Sequence, residues 1–481
     1  MLGLFTLLFV ISCSKNNQTA KKDDDLRNGV KPFSGILVTD EFGVPLSDVK
    51  VLIGSKPDVP FANNIFVSGP SGEIGLPDEW STPETVTLVH SEYVTTSYLN
   101  ISPGPLNFRM RLKSQDSNLK IKGEVKKFTK VDQDGMIDLG LVFPAIRVAE
   151  IINFSINDYI SPNTDEISVL GQKLKIPSNI SIPAQTEWYG FIRIRLNKPE
   201  YSIRVNSLGV HHVAAVQARF DLSDMIREAR KSDLDPFTLL NMIEFKNGNA
   251  QDVIFNSGSR LKKNIDVSGT KFPINTSHKM TAFTQNDMVL GISLIRSGFK
   301  YYPSDIKLLN GSTETDLKSD GDPRGKLVYI QRGKDTETTG PSVDRLSGKI
   351  LPNNQSQSPQ MLTIIPQPIA HSDIVSSTPP TKVNHIETGS VAILSQLSFV
   401  DTGSVKYEKK QKLWEVYRGD WNGDFELPDW SDAEPRQAGL SYRWEVIYLA
   451  DDQNPPTNNS LGPQIFENST DFSKNAIDFV Y

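Results

Sequence analysis

Leu106-Asn107-Phe108-Arg109-Met110-Arg111-Leu112-Lys113 alternates apolar and polar side chains without a break. Successive side chains of an extended strand point to opposite faces, so this run predicts a strand with one face buried and the other toward water. Working back along the chain, Val49, Val51 and Ile53 alternate with Lys50, Leu52 and Gly54 in the same way. Phe33-Ser34-Gly35-Ile36-Leu37-Val38-Thr39 carries β-branched and aromatic strand formers, and Asp40-Glu41-Phe42-Gly43-Val44-Pro45-Leu46 supplies the turn chemistry that follows. Further strand-like stretches run from Glu84 to His90 and from Glu92 to Thr96. Residues 32–113 therefore predict a small, self-contained β-unit.

Beyond the polar joint Lys113–Asn118 the same texture continues. Lys120–Phe128, Ile137–Val142 and Ala145–Phe154 read as strands, and Phe191–Leu196 with Tyr201–Val205 reads as a hairpin turning at Asn197-Lys198-Pro199-Glu200. Leu222, Met225, Ile226 and Ala229 fall at helical spacing, and Asp235-Pro236 supplies a cap and first residue for a second helix carrying Leu239, Leu240 and Ile243. Residues 119–309 thus form a β-rich region with a small helical insertion near 221–245. Residues 310–325 and 333–360 are polar loops or linkers, and strands from Lys326–Gln331 to Leu440–Leu449 make a third β-rich unit over 326–450. The tail, 451–481, reads as loosely ordered, with Phe472–Tyr481 suited to dock as a closing strand. The expected fold is mainly β: tandem antiparallel β-sandwich domains.

Several pieces of the first unit resemble the carboxypeptidase regulatory-like domain: the opening Gly35, the turn Asp40–Leu46, the strand Val49-Lys50-Val51, the turn Ser71-Gly72-Glu73 and the segment Tyr93-Val94-Thr95. Glu92 stands where that family usually has Gly. The resemblance covers about 32–113 and implies a transthyretin-like β-sandwich, a structural or adhesive module rather than a catalytic one.

At the N-terminus, Leu2–Ile11 is interrupted only by Gly3 and Thr6. As a helix it would reach roughly 15 Å, half a hydrocarbon core, which fits a signal-peptide h-region and not a membrane span. Val10-Ile11-Ser12-Cys13 resembles the lipobox of bacterial lipoprotein precursors. The resemblance implies that residues 1–12 are removed and that Cys13 is lipidated, with palmitate among its acyl chains. By the same resemblance Ser14 favours the outer membrane. Met1 to Ser12 contains no Lys or Arg, a departure from the usual n-region. Residues 13–31, with Lys21-Lys22-Asp23-Asp24-Asp25, read as a disordered tether. Cys13 is the sole cysteine, so its acylation leaves no thiol for a disulfide, zinc site or nucleophile.

Charge is mild, 51 basic against 57 acidic residues, and no cluster of Lys and Arg forms a nucleic-acid footprint. Asp132, Asp134 and Asp138 surround the turn residue Gly135, an arrangement that could bring oxygens to calcium. The favoured reading of the same residues is an acidic hairpin turn, since the twelfth position of a calcium loop counted from Asp132 is Phe143, not an acid. Asp420, Trp421, Asp424 and Trp430 form a second cluster, where aromatic faces beside carboxylates could take a sugar ring; core Trp and a turn at Asn422-Gly423 is the competing reading. His211 and His212, adjacent in a strand, point to opposite faces and read as structural. No nucleophile elbow, phosphate loop or zinc-protease motif is present.

These features favour a lipid-anchored cell-envelope protein with a non-catalytic structural, adhesive or partner-binding role, touching the membrane through its N-terminal lipid and an envelope protein or glycan through its loops. No cofactor is called for, calcium apart. The alternatives are a glycan-binding or glycan-cleaving protein using the Asp420–Trp430 region and a calcium-stiffened module.

Overall fold

A computed structural model describes residues 35–41, 43–113, 119–129, 135–152, 161, 163–169, 172–205, 209–229, 242–256, 258–279, 288–298, 300–309, 314–332, 346–353, 390–401, 409–419, 427–451, 461–463, 465 and 469–481. Cys13, Asp132, Asp134, Asp420, Trp421, Asp424 and the helix expected at Asp235-Pro236 lie outside the described residues. The fold is mainly β, in several sheets.

The first unit is a two-sheet sandwich built from β1 (Ile36–Asp40), β2 (Lys50–Ile53), β3 (Ile65–Val67), β4 (Glu73–Ile74), β5 (Glu84–Val89), β6 (Thr95–Ile101) and β7 (Leu106–Met110). One sheet has the order β4-β1-β7, with β1 and β7 parallel; the other runs β3-β2-β5-β6. Ile36, Val38, Val86 and Leu88 fill the space between them, together with Val51, Ile53, Phe108 and Met110, which the alternation places on buried faces. Gly72 takes φ +75° in the turn before β4, where an added Cβ would stand 2.4 Å from the carbonyl oxygen of Val38.

The second sheet of that sandwich does not stop at β6. β6 pairs in parallel with Lys409–Arg418, more than 300 residues later, in a register running from Thr95 opposite Trp414 to Tyr98 opposite Tyr417. The result is a twelve-stranded sheet in the order Lys300–Leu309, Met288–Ser297, Lys326–Arg332, Leu346–Pro352, Asp471–Val480, Ser441–Asp451, Ser390–Asp401, Lys409–Arg418, β6, β5, β2, β3. Three consequences follow. The pair 288–309, placed with the middle unit by sequence order, belongs to the sheet of the C-terminal unit. In the tail, Asp471–Val480 docks as the closing strand expected of Phe472–Tyr481 and is paired on both sides. The outer face of β2 is buried too, because Leu52 packs with Leu99, Trp414, Trp444 and Trp430.

The middle unit is a second sandwich. A six-stranded sheet centred on Met136–Pro144 and Gly209–Asp221 faces a smaller one built on Leu119–Lys126 and Glu200–Val205, with Val142, Val213, Val253, Ile121 and Tyr201 between them. Two local expectations change here. Ala145–Phe154 holds the short helix Val148–Ile152 in place of a strand; the Glu150 carboxylate accepts a hydrogen bond from the Arg147 N–H, half of a capping box. The hairpin at Pro199 is instead a crossing: Ile192–Lys198 pairs with Ile180–Tyr189, while Glu200–Val205 pairs with Leu119–Lys126 in the other sheet. Pro199 cannot donate to a ladder, and the buried Lys198 ammonium donates to the carbonyls of Ile180 (2.5 Å) and Glu200 (2.8 Å), fixing the jump. The helix Leu222–Ala229 is where its spacing put it.

Gly348 shows how tightly the closing strand sits. It lies opposite Phe472, and a Cβ there would stand 2.2 Å from the Phe472 ring and 2.6 Å from the Tyr329 carbonyl oxygen. Gly348→Ala should destabilise by about 1–3 kcal/mol in urea unfolding. Adding Phe472→Leu should recover part of that loss relative to Phe472→Leu alone, and strictly additive losses would mean that the ring is not the obstacle.

Candidate functional site

Two residues from the sequence clusters can be placed. Asp138, on Met136–Pro144, accepts hydrogen bonds at one carboxylate oxygen from Arg219 Nε and Gln217 Nε2, both at 3.0 Å. Its charge is therefore engaged by the buried Arg219, its direct cross-strand partner. Trp430 is 6 % exposed and belongs to the cluster of Leu52, Leu99, Trp414 and Trp444. The segment around it is pinned to the first sandwich by Asp429 N–H to the Ser55 carbonyl and by the Lys50–Asp432 ion pair. Its ring is thus core and offers no open face for a sugar. Among the described residues no group of three His, Cys, Asp or Glu is placed to hold a metal, and no helix is long and apolar enough to cross a membrane.

His212 makes a contact that its sequence does not suggest. Its Nδ1 is 2.6 Å from Asp252, directly opposite on the neighbouring strand, and its Nε2 is 2.9 Å from Ser297 Oγ. The connectivity is that of a Ser-His-Asp relay, but the Asp252 side chain is 68 % exposed, and a carboxylate in water orients and stabilises an imidazolium weakly. The chain of bonds ties the six-stranded sheet to the end of Met288–Ser297 in the twelve-stranded one.

The polar face of the opening stretch also departs from its expected solvation. Arg111, just beyond β7, is only 9 % exposed and reaches Glu415 at 3.5 Å. Glu415, fully buried on Lys409–Arg418, accepts hydrogen bonds from Tyr417 OH (2.9 Å) and Gln396 Nε2 (3.2 Å), and Lys412 Nζ stands 3.7 Å away. Burial alone would pull Arg111 down; the Glu415 carboxylate, with Tyr417 and Glu41 behind it, raises it above the usual guanidinium range. Burial and the Arg111 guanidinium push Lys412 down to about 8 against the pull of Glu415. Tyr417 is raised, first by burial and then by Glu415, and its ring stacks on Tyr98 with centroids 5.3 Å apart. Nearby, Glu41 pairs with Arg147 at 2.9 Å and is itself raised by burial. This cluster joins the first sandwich to the rest of the chain and has the character of a locked joint.

Exposed apolar surface is gathered elsewhere. The strands Ile180–Tyr189 and Ile192–Lys198 pair across a two-residue turn, Gly190-Phe191, with Gly190 at φ +59°. The backbone ladder to Met136–Pro144 takes only Ile180 and Ser181, and the Gln185 side chain extends the tie by accepting from the Asp138 N–H and donating to the Asp138 carbonyl, so the hairpin beyond Gln185 forms an arm. Ile194 and Leu196 anchor its inner face in the core. At the tip Phe191 is fully exposed, Trp188 is 57 % exposed and Ile192 half exposed. Trp188 lies opposite Arg193, and Thr186 opposite Arg195, so Trp188 and both arginines share the outward face. Phe191–Leu196 was visible in the sequence as a strand, but its partner Ile180–Tyr189 and the projection of the pair were not, because nothing local says where the neighbouring strand ends.

The geometry defines a mainly-β protein of linked sandwiches with a projecting arm. No family model matches the chain, and no curated protein matches it. Among solved structures it is similar to a fimbrial assembly protein from Parabacteroides distasonis ATCC 8503, at 7 % identity over 49 % of this chain and 86 % of that one, with a TM-score of 0.15. That value is too low for the two folds to be equated.

Proposed function

We propose that this is a lipid-anchored protein of the cell envelope, held at the outer membrane through Cys13, with a structural, adhesive or partner-binding role and no catalysis of its own. The observation that supports it best is the arm: the exposed aromatic surface sits on a convex tip and not in a cleft, as suits contact and not turnover. The Glu415 joint holds the first sandwich to the twelve-stranded sheet, and the Glu41–Arg147 pair and the His212–Ser297 bond tie the middle unit that carries the arm to both, so a tether over 13–31 would lead into one linked scaffold.

Two variants test the reading. A Cys13→Ala chain should leave the membrane fraction on flotation after export, and one that still floats would refute the anchor. Trp188→Ser with Phe191→Ser should leave the unfolding midpoint within about 0.5 kcal/mol of the parent, since both side chains lie outside the core. The same pair should abolish cross-links that photoreactive groups at Thr186 form in intact envelopes; unchanged cross-links would remove the arm from the contact.

A further inference from the structure

We infer that the tip of the arm is a membrane-interface contact, in which Trp188, Phe191 and Ile192 enter the headgroup region of a bilayer while Arg193 and Arg195 meet anionic lipid headgroups. The inference rests on the proposed envelope location and deepens it by naming what the arm touches.

The composition of the tip carries it. An indole, a phenyl ring and a branched aliphatic chain are all substantially exposed within five residues, 188 to 192, on a turn that nothing else in the described chain covers. Indole is the side chain best suited to the boundary between acyl chains and headgroups, having an apolar body and a single N–H donor. Arg193 and Arg195 are exposed on the Trp188 face, and neither makes an ion pair among the described residues. Two uncompensated guanidiniums at the base of an apolar wedge complement a surface carrying phosphates, to which guanidinium can bind bidentately. The inner face of the arm, Ile194 and Leu196, is fixed in the core, so the wedge is preorganised and loses little freedom when it inserts. Burying three apolar side chains to headgroup depth gives modest affinity by itself. Beside an acylated Cys13 its effect would be orientation: the anchor keeps the chain at the bilayer, and the tip sets which face lies down.

The test places a reporter at the tip. Phe191→Cys in the full chain, labelled with an environment-sensitive fluorophore, is mixed with vesicles of phosphatidylethanolamine and phosphatidylglycerol containing nitroxide-labelled headgroups. A Phe191→Cys, Cys13→Ser chain repeats the measurement without acylation, so the readout does not depend on the anchor. The expected result is a blue shift with a roughly twofold fall in emission from nitroxide quenching, weakened by high salt and by Arg193→Gln with Arg195→Gln. Emission unchanged by vesicles in both chains overturns the inference. If the probe stays unquenched while Trp188→Ser with Phe191→Ser still loses its envelope cross-links, the arm binds a protein, and the proposed function stands without the lipid contact. If quenching occurs but Cys13→Ala still floats as the parent does, the anchor fails and the tip contact remains.

Discussion

Glu415→Ala should cost about 3–5 kcal/mol of unfolding free energy, because it strips a buried cluster of its central anion. The carboxylate is the acceptor for Tyr417 and Gln396 and the counter-charge for Arg111 and Lys412, all within 3.7 Å. Without it a guanidinium that is 9 % exposed has lost its strongest counter-charge, and Tyr417 and Gln396 lose this acceptor. Urea unfolding should show a lower midpoint at unchanged slope. Replacing both partners, Glu415→Leu with Arg111→Met, should recover the part of the loss that comes from the stranded guanidinium, while Tyr417 and Gln396 still lack this acceptor. A Glu415→Ala midpoint indistinguishable from the parent would mean that water reaches the cluster and screens it.

Trp414→Ala should be of similar size, about 3–5 kcal/mol, but with a different local signature. The indole is buried among Leu52, Leu99, Trp430 and Trp444, and its Nε1 donates to Ser97 Oγ at 3.0 Å, across the seam between β6 and Lys409–Arg418. That seam is only four residues long on each side, Trp414–Tyr417 against Thr95–Tyr98. Loss of the indole should therefore expose the amides of Thr95–Tyr98 to hydrogen exchange well before those of Ile36–Asp40, on the far sheet of the sandwich. Trp414→Phe, which keeps most of the volume and drops the Ser97 bond, should lose only about 1–2 kcal/mol. Uniform exchange across both sheets of the sandwich would show that the seam is not what limits its opening.

Much of the secondary structure follows from local pattern. The alternation of Leu106–Lys113, the turn at Asp40–Leu46 and the helical spacing of Leu222, Met225, Ile226 and Ala229 each act over fewer than ten residues, within reach of sequence reasoning. Where a strand goes next was less legible. Lys198-Pro199-Glu200 looks like a hairpin turn until the ladders on either side are known, and Ala145–Phe154 looks like a strand until Glu150 caps Arg147.

The candidate site divides in the same way. Trp188-Tyr189-Gly190-Phe191-Ile192 is ordinary strand and turn vocabulary, and its exposure emerges only because the backbone ladder to Met136–Pro144 ends at Ser181 and the side-chain tie at Gln185. Arg111 reads as the solvated side of an amphipathic strand, and only the arrival of Glu415 from 304 positions later in the chain makes it buried.

By itself the sequence determined that this chain is mainly β, that Val51, Phe108 and Met110 lie on buried faces of alternating strands, and that a single cysteine follows an apolar run at the N-terminus. Those properties rest on side-chain periodicity and residue chemistry, which are local. The tertiary structure alone decided that the first and last thirds of the chain share a twelve-stranded sheet, that Trp430 is core, and that one hairpin projects with its aromatic residues bare. Backbone ladders carry no residue-specific label, so which strands meet, and which faces are then covered, is settled by packing between segments that lie far apart in sequence.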